Sequence, residues 1–161
     1  MSFHLNPWFL ITLLGTPELW LGIAGGVGVF YFIFRKNLGK RRKTLRGFAM
    51  VFVVSLLLTF GVVQGIKSTV NIPRPCGQEN PYCEPDSSFP SGHAAAIFVF
   101  FGPLLIFLKR MWLPLLVIPL LVAYSRVALG VHTLADVAAG GVLGVVIPLV
   151  IFEILGMGKK I

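Results

Sequence analysis

Charge is scarce in this sequence, and negative charge scarcest. Six Asp and Glu stand against 14 Lys and Arg, and 12% of the 161 residues are charged while 56% are hydrophobic. So little polar side chain all but excludes a water-soluble globular domain of this length. The few acids form no cluster of the kind that holds Mg2+ or Ca2+. Neither a sequence repeat nor a low-complexity tract is present. The first Lys or Arg is Arg35, so the positively charged start of a secretory signal peptide is missing and the N terminus is expected to be retained. A net charge of +8 would ordinarily raise nucleic acid as a partner. Here the distribution of that charge argues against it.

What the sequence has in quantity is apolar runs of near-bilayer length, at about 18–34, 47–66, 93–108, 111–130 and 137–155. They predict an all-α integral membrane bundle of about five transmembrane helices, one domain over residues 1–161. Residues 1–17 are apolar but broken by Asn6, Pro7, Gly15 and Pro17, which suits a short interfacial helix with Trp8 and Trp20 at headgroup depth. Gly22 with Gly26, and Gly140 with Gly144, have the spacing that lets helices pack closely in lipid, here expected within the monomer.

Short loops rich in Lys and Arg stay cytoplasmic. Eleven of the 14 cations fall at three places: Arg35 to Arg46, Lys109 with Arg110, and Lys159 with Lys160. With five spans all three lie on one face, so the N terminus is expected outside and the C terminus inside. The remaining cations, Lys67, Arg74 and Arg126, sit at the opposite, outward ends of spans or in the long polar loop between the second and third. Cations placed against the topological bias need a reason, and a bound anion supplies one. Cys76 and Cys83 share that loop. In an oxidising compartment they can pair and rigidify it; otherwise they are two free thiols. No His or acidic arrangement near them favours zinc.

The outward rim also collects the candidate chemistry. Pro90-Ser91-Gly92-His93 runs directly into AAAIFVFF, a helix start whose free N–H groups and dipole favour an anion such as a phosphate oxygen. His132 and Asp136 are four apart, hence on one face of a helix, so the carboxylate can take one ring nitrogen while the other faces a substrate. Taken singly these residues have bland readings, as caps, snorkelling cations and helix-dipole partners.

Jointly, Lys67-x6-Arg74-Pro75, Pro90-Ser91-Gly92-His93 and Ser125-Arg126-x5-His132-x3-Asp136 form a pattern. It resembles the three-part signature of the type-2 phosphatidic acid phosphatase superfamily, the lipid phosphate phosphatases. All three parts are complete, in order and at the family spacing, across residues 67–136. The superfamily's soluble vanadate-dependent haloperoxidases have a similar pocket, but the membrane-spanning composition argues against that branch. Many lipid phosphatases of the family have six spans, and here only the N-terminal segment stands where a sixth would be.

The resemblance implies that His132 attacks phosphorus to form a phosphohistidine while Asp136 holds its tautomer, and that His93 protonates the leaving oxygen and then activates water. Lys67, Arg74, Ser91, the Gly92 amide and Arg126 would hold the phosphoryl oxygens, with no metal or other cofactor. The expected function is removal of a terminal phosphate from a membrane lipid on the extracytoplasmic side of a cell (inner) membrane. Undecaprenyl pyrophosphate, phosphatidylglycerophosphate, phosphatidic acid and the 1-phosphate of lipid A are the candidate substrates, with a lean to a bulky or pyrophosphate head. A phosphotransferase, or a binding or transport protein with the same anion pocket, is the alternative. Oligomeric state is left open.

Overall fold

The computed structural model describes residues 6–34, 42–77, 79–107 and 114–156. Among them the chain forms helices α1 (Pro7–Leu13), α2 (Pro17–Phe34), α3 (Arg42–Val70), α4 (Gly92–Phe107), α5 (Val117–Ala128) and α6 (Leu134–Ile154), and no strand. The expected all-helical architecture is what forms. Arg35, Lys36, Lys40, Arg41, Lys109, Arg110, Lys159 and Lys160, on which the expected orientation rests, lie outside the described residues.

Among the described residues, three segments are long and apolar enough to cross a membrane: Pro7–Phe34, Lys43–Val70 and Leu134–Ile154. The third and fourth expected spans appear as shorter apolar helices, α4 and α5, and residues 108–113 between them are outside the described residues. Phe32, Leu57, Leu120 and Ile154 are each more than half exposed. Such apolar outer faces suit lipid and not water.

At the centre α3, α4 and α6 pack on one another, α2 and α5 flank them, and α1 lies on α5. The α4–α6 seam depends on glycine. A Cβ at Gly140 would collide with the Ser91 carbonyl oxygen, and one at Gly144 would lie 2.5 Å from that of Ala95. Backbone thus meets backbone, the close approach that drives helix association without a hydrophobic effect. Gly22 and Gly26 do not behave this way. A Cβ on either would meet nothing within 4 Å, so the spacing alone did not indicate packing on α2.

The N-terminal segment departs from a simple interfacial helix. Asn6 caps α1 by accepting from the Trp8 amide at 3.0 Å, and the chain breaks at Leu14-Gly15 before Pro17 opens α2 with its preset φ. Trp20, expected at headgroup depth, turns inward: it is 7% exposed, its ring lies 4.7 Å from that of Phe100, and its indole N–H donates to the Leu14 carbonyl at 2.7 Å. Burying an indole requires such a partner. Gly15 is wedged in the core, where a Cβ would sit 2.5 Å from Val122 and 3.1 Å from His93.

Candidate active site

Every rim residue singled out by the sequence comes to one end of the bundle, delivered by a helix end or a loop. Residues 71–77 and 79–91 fold back over the helix ends rather than standing clear of them. Ser88 N–H donates to the Ile72 carbonyl at 2.8 Å, the Ile72 amide donates to Ser87 Oγ at 3.0 Å, and the Asn80 side chain donates to the Leu129 carbonyl at 2.8 Å. Cys76 and Cys83 are joined as a disulfide, and Tyr82 stacks on Phe9 of α1.

The two histidines approach from different helices. His93 is the second residue of α4; His132 lies between α5 and α6, its amide held by the Arg126 carbonyl at 3.3 Å after Gly130 turns the chain at φ +70°. Both are buried and line one cavity of about 200 Å3, together with Glu18, Gln64, Lys67 and Arg74.

Arg74 Nη1 lies 3.0 Å from His132 Nε2. A guanidinium only donates, so Nε2 accepts and carries no proton, and the ring's hydrogen is on Nδ1. Nδ1 faces Asp136 Oδ2 and Ser88 Oγ, each at 3.5 Å. Asp136 is fixed twice over: its Oδ2 accepts from Ser88 Oγ at 2.5 Å and from the Thr133 amide at 2.7 Å, while its own amide donates to Thr133 Oγ1 in a capping box that starts α6. The Asp136 carbonyl accepts from the Ser91 amide at 3.0 Å, tying the starts of α4 and α6 together. Burial, with Arg74 and Arg126 nearby, pushes the His132 imidazole down to about 4 from an ordinary 6.5. At neutral pH it is therefore an unprotonated nitrogen beside cations, the form a nucleophile needs.

Lys67, Arg74 and Arg126 converge as expected, and their side chains are almost wholly buried, at 7%, 3% and 3% exposed. Two acids that sequence reasoning missed meet them. Glu84 bridges Arg74 (2.5 Å) and Arg126 (2.8 Å), and Asp86 bridges Lys67 (2.7 Å) and Arg74 (2.5 Å). Burial alone would raise both carboxyls, but Arg126 and Arg74 hold Glu84, and hydrogen bonds from Lys67 and Arg74 hold Asp86, below their usual range.

Ser88 and Thr12 were also missed. Thr12, 2% exposed on α1, accepts from Arg126 Nη1 at 3.2 Å. A Pro-rich loop and an N-terminal helix have no period that would have flagged these contacts. Ser91 is fully buried, and its Oγ accepts from the Ala94 amide at 3.4 Å, capping α4. Ser125 Oγ donates to the Val122 carbonyl at 2.7 Å. Among the described residues no three His, Cys, Asp or Glu side chains gather as metal ligands.

The family model for the PAP2 superfamily matches residues 48–159. The chain belongs to the PAP2 superfamily. Its PAP2 relatives include an undecaprenyl-diphosphatase of Sulfolobus acidocaldarius, 36% identical over 110 residues, covering 63% of this chain and 52% of that protein. Dolichyldiphosphatase 1 of Rhinolophus ferrumequinum is 33% identical over 111 residues, covering 58% and 47% respectively. The chain thus spans about half the length of these relatives. The crystal structure of a transmembrane PAP2-type phosphatidylglycerolphosphate phosphatase from Bacillus subtilis has the same fold, with a TM-score of 0.66, 28% identity and coverage of 97% of this chain and 79% of that one. Aquifex aeolicus LpxE shares the fold at a TM-score of 0.67 and 22% identity, covering 93% and 88%. With its apolar helices and these membrane PAP2 neighbours, the chain is a multi-pass membrane protein.

Proposed function

We propose that this PAP2 protein is a lipid phosphatase that hydrolyses the terminal phosphate of a lipid phosphate or diphosphate, working on the extracytoplasmic face. The observation that carries the reading is His132, with its Nε2 lone pair directed at Arg74 in a cavity that Lys67 also lines. In the reaction Nε2 attacks phosphorus, the bond to the leaving lipid oxygen breaks, and His93 delivers a proton to that oxygen. Asp136 stabilises the imidazolium through Nδ1–H, as an orienting carboxylate does in a catalytic triad. Water then gives a proton to His93 and attacks the phosphohistidine, releasing inorganic phosphate and restoring His132. The three cations and the Gly92 amide hold the equatorial oxygens, where charge accumulates.

The side from which a lipid tail would approach is marked as well. An apolar crevice lined by Pro17, Leu21, Leu56, Phe60 and Val63 adjoins the polar cavity between α2, α3 and α4, sharing Pro17, Phe60, Gln64 and Gly92 with it. The two polyisoprenyl diphosphatase relatives favour a polyprenyl diphosphate over phosphatidic acid, phosphatidylglycerophosphate or lipid A.

Phosphate release by the detergent-purified protein, with chelator present, tests the reading across those four lipids. Release that survives chelation and disappears in His132→Ala is expected, because Lys67, Arg74 and Arg126 supply the charge. Loss of release on chelation would remove the metal-independent mechanism. A phosphorylated acceptor lipid in place of free phosphate would make the protein a transferase, and binding without turnover would make it a carrier.

A further inference from the structure

The cations that the proposed function assigns to phosphate are already engaged by the chain's own loop. Resting on that assignment, we infer that Glu84 and Asp86 form an internal anion, which occupies the phosphate site until substrate displaces it and so sets the protein's affinity for phosphate.

Charge is the first reason. Two carboxylates carry −2, the charge of a fully ionised phosphate monoester group, and they meet three cations through four contacts at 2.5 to 2.8 Å. Each carboxylate straddles a pair of cations, as neighbouring oxygens of one tetrahedral phosphoryl group would. If both acids and a phosphate dianion faced the cluster together, four negative charges would meet three positive ones. With the acids withdrawn, a net positive charge faces the dianion.

Mobility is the second reason. The cations are buried side chains at 3% to 7% exposure, whereas Glu84 and Asp86 are 42% and 43% exposed. The carboxylates therefore have water to turn into, and the cations have none. Pairs with one partner this exposed are individually weak. One phosphate presents its oxygens to all three cations from a single rigid group, whereas the resting contacts order two separate side chains, so exchange favours it when it arrives. His132 Nε2 is occupied in the same state by Arg74 Nη1, and a phosphate that draws Arg74 to its oxygens frees the nucleophile. The resting contact thus holds both the anion site and the attacking atom.

A site that must first shed an internal occupant binds with its intrinsic affinity reduced by the fraction of open molecules. Calorimetric titration of inorganic phosphate into the full-length, detergent-purified protein measures this without requiring turnover. Glu84→Gln, Asp86→Asn and the double variant keep side-chain size while removing the charge and turning one of the two accepting oxygens into a donor that no cation can pair with. Each single change is expected to tighten phosphate binding by about fivefold and the double by more. Glu79→Gln, an exposed acid of the same loop, is expected to leave it unchanged. If either single variant is too unstable to purify, the other reads the same exchange, because both acids share Arg74.

Weaker or unaltered phosphate binding in the variants would overturn the internal anion and make the acids struts for the cations. Equal tightening in Glu79→Gln would overturn it too, leaving only bulk charge. Lipid turnover, measured alongside, keeps the two readings apart. Tightened binding in variants of a protein with no phosphatase activity retains the internal anion and discards the enzyme. Unchanged binding with wild-type turnover intact does the reverse.

Discussion

The α4–α6 seam and the ionic rim above it are built on opposite principles. In the seam, Gly140 and Gly144 let backbones touch, and the atoms nearest them are backbone and apolar side chain. At the rim, charged and polar groups from loop 71–91 and from the ends of α1, α3, α5 and α6 meet through hydrogen bonds and ion pairs. A membrane interior suits the first design, since lipid offers helices no hydrophobic drive and close packing takes its place. The second design carries chemistry because its groups converge from one loop and several helix ends, so no single helix fixes the site. The two regions meet where the Ser91 amide donates to the Asp136 carbonyl. The start of α4, which carries His93, is thereby positioned against the start of α6, which carries Asp136.

The comparison breaks most sharply at His132. His132→Ala is expected to reduce lipid phosphate release by about 10^3-fold or more with the fold retained, a separation that circular dichroism and activity together will show. Gly144→Val strikes the other design. Its side chain has to displace the Ala95 carbonyl and Phe98 Cβ, so a loss of about 3 kcal/mol in stability is expected, seen as a lower unfolding temperature in detergent with activity lost in parallel.

Acid reveals the rim without a mutation. His132 is held at about 4 when folded and returns to about 6.5 when unfolded, so between those values the unfolded chain binds the extra proton. Stability should therefore fall as pH drops from about 6.5 to about 4, and His132→Asn should flatten that slope. Glu84 and Asp86, held below their usual range when folded, remove further stability as pH falls from their ordinary values toward their lowered ones. Thr12→Val is a smaller change. It deletes one hydrogen bond to Arg126 and is expected to cost about 1 kcal/mol in transition-state binding, felt in kcat/KM and restored by Thr12→Ser. Smallest of all, Gly22→Ala and Gly26→Ala should shift the unfolding temperature hardly at all, because a methyl at either meets no atom.

Most of the scaffold was legible in the sequence because its apolar runs have bilayer length and its breaks fall at Pro and Gly. The family signature brought out His93, His132, Asp136 and the three cations, and the structure gathers all six. What stayed hidden depends on how a loop returns. Glu84 and Asp86 read as ordinary acids in a polar stretch, since only the fold over Lys67 and Arg126 gives them partners. Ser88 needed the register of that return before it met Asp136. The glycine pairs show the same limit: Gly22 with Gly26 and Gly140 with Gly144 have identical spacing, and only the second pair has a neighbouring backbone to meet.

The short α1 lies outside residues 48–159, where the family match runs, yet Thr12 steadies Arg126 and Gly15 abuts His93. At 1.5 Å per residue this helix is only about 10 Å long, so a load on its N-terminal end is transmitted almost directly to a guanidinium and an imidazole. An affinity tag or fusion partner joined there is mechanically coupled to the reaction centre. A C-terminal tag is the sound choice for assays of this protein, and a deliberately bulky N-terminal fusion becomes a handle for tuning it.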